Sequence, residues 1–237
     1  MLIGGVVGQN AANGKITDIS ILDEDLSVKI TNSCEGTLGS YSVGGIVGQS
    51  SGYIIAANLS NVTIDGSKSI GVTSYMGGMA GQLTLSNNDG SMENCIVSGK
   101  VIAGISKKYG SLNSRSYTGG IAGAVYNMPV KGCRSMLDVA GPTEEMKRDD
   151  VLYATGGGFG RIRSANNYNF SKLIIWGSNL TGLASFIGNF AGIAPDSENW
   201  TDWMKNFGTY EINVRQFGTY KNIGENIADQ DSQTGND

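Results

Sequence analysis

Catalysis in this chain would have to be built from carboxylates, arginines, tyrosines and thiols, because its 237 residues contain no histidine. That absence excludes Ser-His-Asp triads, Cys-His dyads and zinc sites built on imidazole. Acidic residues gather in two runs, Asp23-Glu24-Asp25 and Glu144-Glu145 with Asp149-Asp150. Sugar-cleaving chemistry needs an acid and a base held about 5–10 Å apart, and a lyase would add an arginine or lysine beside them. Arg161 and Arg163, near Tyr168, are the best available basic pair. Both carboxylate runs sit in loop-like stretches rather than at matched positions of neighbouring elements. They read as solvent-facing charge, and no catalytic residue is assigned. Three cysteines, Cys34, Cys95 and Cys133, cannot all pair within the chain, and none forms a C-x-x-C spacing. The sequence reads as a non-enzyme that needs neither metal nor cofactor.

Charge narrows the partners. Lys and Arg number 17 against 21 Asp and Glu, a net charge of −4, which matches nucleic acid or anionic lipid poorly. The compact basic pairs Lys107-Lys108 and Lys147-Arg148 read as loop charge. No apolar run approaches the roughly 18 residues of a membrane span. The N-terminus, Met1-Leu2-Ile3-Gly4-Gly5, lacks a basic leader and opens inside a structural motif, so the sequence reads as part of a longer chain with no signal peptide.

What must position any functional residue is a repeat. Gly4-Gly5-Val6-Val7-Gly8-Gln9 returns as Gly44-Gly45-Ile46-Val47-Gly48-Gln49, as Gly77-Gly78-Met79-Ala80-Gly81-Gln82 and as Gly119-Gly120-Ile121-Ala122-Gly123-Ala124. Gly156-Gly157-Gly158-Phe159-Gly160-Arg161 is a degenerate fifth copy, and Ala184-Ser185-Phe186-Ile187-Gly188-Asn189 a remnant of a sixth. Tyr41, Tyr75, Tyr117 and Tyr153 stand two or three residues ahead of four of them. A second block follows each glycine block: Asn94-Cys95-Ile96-Val97 aligns with Gly132-Cys133-Arg134-Ser135, and Asn58 is expected in the column of the two cysteines. Short β-branched runs bounded by Gly, Asn and Ser are strand-and-turn chemistry. Three strands and three corners per repeat predict an all-β, right-handed parallel β-helix of five to six coils. A kelch-type propeller fits less well, because its apolar strand precedes the glycines, whereas here the apolar pair follows them.

In a stacked solenoid the glycines are expected to take positive φ at a corner and to admit a close backbone neighbour. Gln9, Gln49 and Gln82 should form an amide ladder, and Cys95 and Cys133 should be small core filler. The loops at 31–41, 66–74, 105–116 and 141–152 should line one edge as an elongated surface for recognition.

The unit Gly-apolar-apolar-Gly with a trailing Asn-Cys-x-Val-x-Gly-x-Val block resembles the GLUG motif of bacterial cell-surface proteins. Gly5-Val6-Val7-Gly8, Gly45-Ile46-Val47-Gly48, Gly78-Met79-Ala80-Gly81 and Gly120-Ile121-Ala122-Gly123 carry the likeness, and Gly157-Gly158-Phe159-Gly160 carries it more weakly. The resemblance covers about residues 1–190. It implies a secreted, surface-displayed, adhesin-like array that meets host or bacterial glycan or surface protein. It also implies a neighbouring zinc peptidase in some relatives, which this histidine-free chain cannot itself be.

Residues 191–228 read as a cap. Pro195 to Gly208 predicts a short helix with Trp200, Trp203, Met204 and Phe207 on one face. Two short strands, around 207–213 and 217–223, are expected to pair with each other over the last coil. Residues 229–237 form a polar tail. The expected role is adhesion through the aligned loops, with a passive stalk and a sugar-degrading β-helix as alternatives.

Overall fold

A computed structural model describes residues 1–21, 28–31, 39–85, 89–106, 114–163, 170–176, 180–184, 186–188, 190–195, 212–215 and 223–227. The chain is a parallel β-solenoid. Strands Leu2–Gly4, Tyr41–Gly44, Thr73–Gly77, Ser114–Gly119, Val151–Gly156 and Phe186–Gly188 stack in chain order as one sheet, here the tyrosine sheet. Strands Val7–Asn10, Val47–Ser50, Ala80–Thr84, Ala122–Tyr126, Phe159–Arg163, Ala191–Pro195 and Ile223–Ile227 form a second, the glutamine sheet. A third runs from Lys15–Thr17 to Phe170–Ser171, and a fourth from Ser20–Ile21 to Ile212–Arg215. Four turns between Leu2 and Ala140 place a strand in every one of these sheets.

Val43, Ile46, Ile54, Leu59, Ile64 and Met92 fill the interior, all nearly or fully buried. At about 25 cal/mol per Å² of apolar surface, that burial is the main stabilising term. Cys95 and Cys133 belong to this core. Their column, however, holds Ala57 and not Asn58, which stands one residue on, opposite Ile96. The repeat was legible to within one residue, and in a pleated chain one residue exchanges faces.

The glycines act through space and not through φ. A Cβ on Gly44 would lie 2.6 Å from the Ala80 Cα, and on Gly77 2.7 Å from the Ala122 Cα. On the last glycine of each block it would meet the preceding turn's tyrosine strand. Gly48 would face the Ile3 nitrogen at 2.6 Å, Gly81 that of Val43 at 2.5 Å, Gly123 that of Met76 at 2.6 Å and Gly192 that of Thr155 at 2.6 Å. The sixth block therefore runs from Gly188, which pairs with Gly156, to Gly192 and not over Ala184–Asn189. None of these glycines lies in the left-handed region. Five of the ten positive φ angles among the described residues recur at a different corner, between the third and fourth sheets: Asp18 (56°), Ala56 (55°), Asn94 (54°), Gly132 (63°) and Lys172 (52°). One left-handed residue per turn reverses the chain there, even at a cost of about 1–2 kcal/mol for Ala56 and Lys172.

Residues 196–211, which include most of the expected helix, lie outside the described residues. The two C-terminal strands do not pair with each other. Ile212–Arg215 joins Leu173–Trp176 in parallel, and Ile223–Ile227 joins Ala191–Pro195. Parallel addition satisfies the backbone of an open sheet edge, which a detached hairpin would leave unpaired.

Gly8 differs from its five counterparts, since its nearest obstacle would be the Leu2 carbonyl oxygen at 3.1 Å. Gly81→Ala should therefore cost about 2–3 kcal/mol of unfolding free energy, whereas Gly8→Ala should cost less than about 1 kcal/mol. Equal losses in chemical denaturation would refute the close-approach role of the column.

Candidate functional site

Period-two alternation divides the tyrosines. Tyr41 and Tyr153 lie three residues ahead of Gly44 and Gly156, whereas Tyr75 and Tyr117 lie two ahead of Gly77 and Gly119. Register places Tyr41, Ser74, Ser116 and Tyr153 in one column and Ser42, Tyr75, Tyr117 and Ala154 in the next, on opposite faces of the sheet.

The first column faces the loop edge and is sealed. The Tyr41 hydroxyl donates to the carbonyls of Ser69 (3.1 Å) and Ile105 (3.2 Å), and the Tyr153 hydroxyl donates to that of Met146 (3.0 Å). Ser74 donates to Ser116 at 2.8 Å, and Ser116 to the Gly104 carbonyl at 2.9 Å. Both tyrosines are almost fully buried. Among the described residues, the edge expected to recognise a partner thus offers it no tyrosine ring. Residues 32–38 and 107–113 of those loops lie outside the described residues.

The second column meets the glutamine sheet. Gln9, Gln49, Gln82, Ala124, Arg161 and Ile193 stand in register there. The three glutamines thus share one column, as expected, and Ser42 Oγ donates to Gln82 Oε1 at 2.9 Å. Tyr75 and Tyr117 stack with centroids 5.5 Å apart and planes 28° from parallel. Arg161 Nη1 donates to the Tyr117 hydroxyl at 3.1 Å while its guanidinium lies 5.3 Å from that ring's centre. The Tyr126 hydroxyl donates to that of Tyr75 at 3.4 Å, and the Arg163 guanidinium lies 5.8 Å from the Tyr126 ring. Tyr117 and Arg161 are buried, whereas Gln49, Tyr75, Gln82 and Tyr126 are half-buried and Arg163 is exposed. The result is a polar–aromatic seam with a packed floor and a rim of amide, hydroxyl and guanidinium groups.

Arg161 and Arg163 are brought together here, with five residues that sequence reasoning did not single out for a site: Ser42, Tyr75, Gln82, Tyr117 and Tyr126. The usable signal was the tyrosine offset of two residues against three. Asp23, Glu24, Asp25, Cys34 and Tyr168 lie outside the described residues. Glu144, Glu145, Asp149 and Asp150 are exposed on the 141–150 loop. Among the described residues no group of three or more His, Cys, Asp or Glu gathers as a metal would require, and no helix is long and apolar enough to cross a membrane. With the geometry in hand, comparison adds no relative: no family model, no curated protein and no solved structure matches the chain.

Burial raises the hydroxyl pKa of Tyr41, Tyr75 and Tyr153 above the ordinary 10.0. Below pH 10 both folded and unfolded chains keep these protons. As pH rises further only the unfolded chain releases them, so stability present at neutral pH is lost. Unfolding free energy should fall steadily from about pH 9 to 11, and a flat profile would contradict the buried hydroxyls. The cysteines give a second check. Cys95 and Cys133 are free and buried, and burial pushes the Cys133 thiol up. In a Cys34→Ser chain both thiols should ignore a water-soluble disulfide reagent until denaturant is added. Immediate native reaction would overturn the buried column.

Proposed function

We propose that the chain is a recognition module of a secreted bacterial surface protein, acting in adhesion by holding glycan against the seam. One observation carries this: the solenoid aligns Gln49, Gln82, Tyr75 and Tyr126 as half-buried residues on neighbouring turns of two facing sheets. Amides and phenols supply both donors and acceptors, the complement of a chain of sugar hydroxyls. The GLUG-like repeat supports the surface address, and the sealed loop edge among the described residues favours the seam over the aligned loops as the contact.

A stalk is the second reading, favoured by the uninterrupted parallel stacking of successive turns in chain order.

A broad glycan array with the full chain, read with product analysis, separates the readings. Saturable binding of intact sugar is expected, weakened about tenfold by Tyr126→Ala with Gln82→Ala. Silence across the array would favour the stalk, and cleaved product would overturn the non-catalytic reading.

A further inference from the structure

The charge of the seam runs against the charge of the chain. The protein carries −4 overall, yet the strands of the two facing sheets carry three arginines: Arg115, Arg161 and Arg163. Glu225 is the one carboxylate residue within those strands, two register positions from Arg161 in the same column, with Ile193 between. Among the described residues, the other acidic residues lie on other sheets or on turns and loops, as with Asp65, Glu93, Asp138 and the 141–150 loop.

Register sets the arginines around the hydroxyl and amide groups. Arg115 is two residues ahead of Tyr117 and so on the same sheet face, in the column of Thr73 and Leu152. Arg161 continues the glutamine column, and Arg163 continues that of Thr84 and Tyr126. Arg161 is the buried member, held against Tyr117, and Arg163 is the exposed one over Tyr126. A buried cation on an aromatic floor strengthens the local positive potential, because little water screens it. An exposed guanidinium above it offers the planar fork that grips a carboxylate through two parallel hydrogen bonds.

Building on the recognition reading above, we infer that the seam selects carboxylated saccharides: Arg163 takes the carboxylate while Gln82, Tyr75 and Tyr126 take ring hydroxyls. A neutral sugar would use the amides and phenols but give the exposed Arg163 guanidinium no carboxylate to grip. A single-stranded nucleic acid would also find aromatic and arginine groups. Its continuous negative charge, however, meets a protein that is acidic outside this strip.

The test titrates the full chain with an oligogalacturonate and with its methyl ester, which keeps the sugar and removes the charge. A single-stranded oligonucleotide of similar length serves as the third probe. The acid should bind about tenfold more tightly than the ester, with the advantage shrinking as salt rises. Arg163→Gln should cut affinity for the acid about tenfold without moving the melting temperature, since its side chain is exposed. Equal affinity for acid and ester, or tighter binding of the oligonucleotide, would overturn the inference; the first of these leaves glycan recognition standing. Failure of acid and ester alike to bind would refute the recognition reading, and the inference with it.

Discussion

The whole architecture depends on how closely two backbones approach at the glycine block. A Cβ on Gly44, Gly77 or Gly81 would meet main-chain atoms at 2.5–2.7 Å, and main chain cannot rotate out of the way as a side chain can. Glycine is therefore required by excluded volume, once per strand end, on successive turns. The close approach fixes the angle and distance between the tyrosine and glutamine sheets. It thereby decides that Ser42 reaches Gln82 and Tyr117 reaches Arg161. Polar side chains between sheets this near must satisfy one another, because little water can enter.

The same constraint explains why sequence reasoning recovered the solenoid and missed the conformation of its parts. Five copies of a glycine block at similar spacing permit little but a stack, and parallel pairing with the core at Val43, Ile54 and Met92 follows from that. The role of the glycines could not be read in the same way. Positive φ and close approach leave the same residue in the sequence, and only coordinates separate them. The left-handed corner was obscure for the opposite reason. Asp18, Ala56, Asn94, Gly132 and Lys172 share a backbone state without sharing a residue type, because hydrogen bonding along the stack imposes that state from outside. Asp18, Ala56 and Asn94 donate their amides to Ile55, Glu93 and Lys131, each one turn on.

Parity was the finer clue. Tyr41 and Tyr75 look equivalent in a list of motif-flanking aromatics, yet one residue of offset sends one ring to a sealed edge and the other to the seam. Asn58 shows the same lesson, displaced by one from the cysteine column and so from the core. In a solenoid, counting backward from the fixed glycine carries more information than residue type, since the pleat converts odd and even offsets into faces. The C-terminal strands were misread for want of such an anchor. Without a glycine block to set register, a ten-residue recurrence resembles a hairpin, whereas the open edges of two existing sheets offer each strand a ready partner.

Columns differ in how far they hold to one residue from turn to turn. The glycine column hardly changes, because each position answers to the same backbone neighbours above and below, whereas Val43 and Met76 are followed in their column by Thr118 and Thr155. The seam obeys no such uniformity. Its glutamine-sheet column reads Gln, Gln, Gln, Ala, Arg, Ile, Glu, and its tyrosine-sheet column reads Leu, Ser, Tyr, Tyr, Ala, Phe. A purely structural ladder gains from identity, since like amides satisfy like amides on each rung. The ladder ends at Ala124, and the next residue of that column, Arg161, donates to the Tyr117 hydroxyl one turn back.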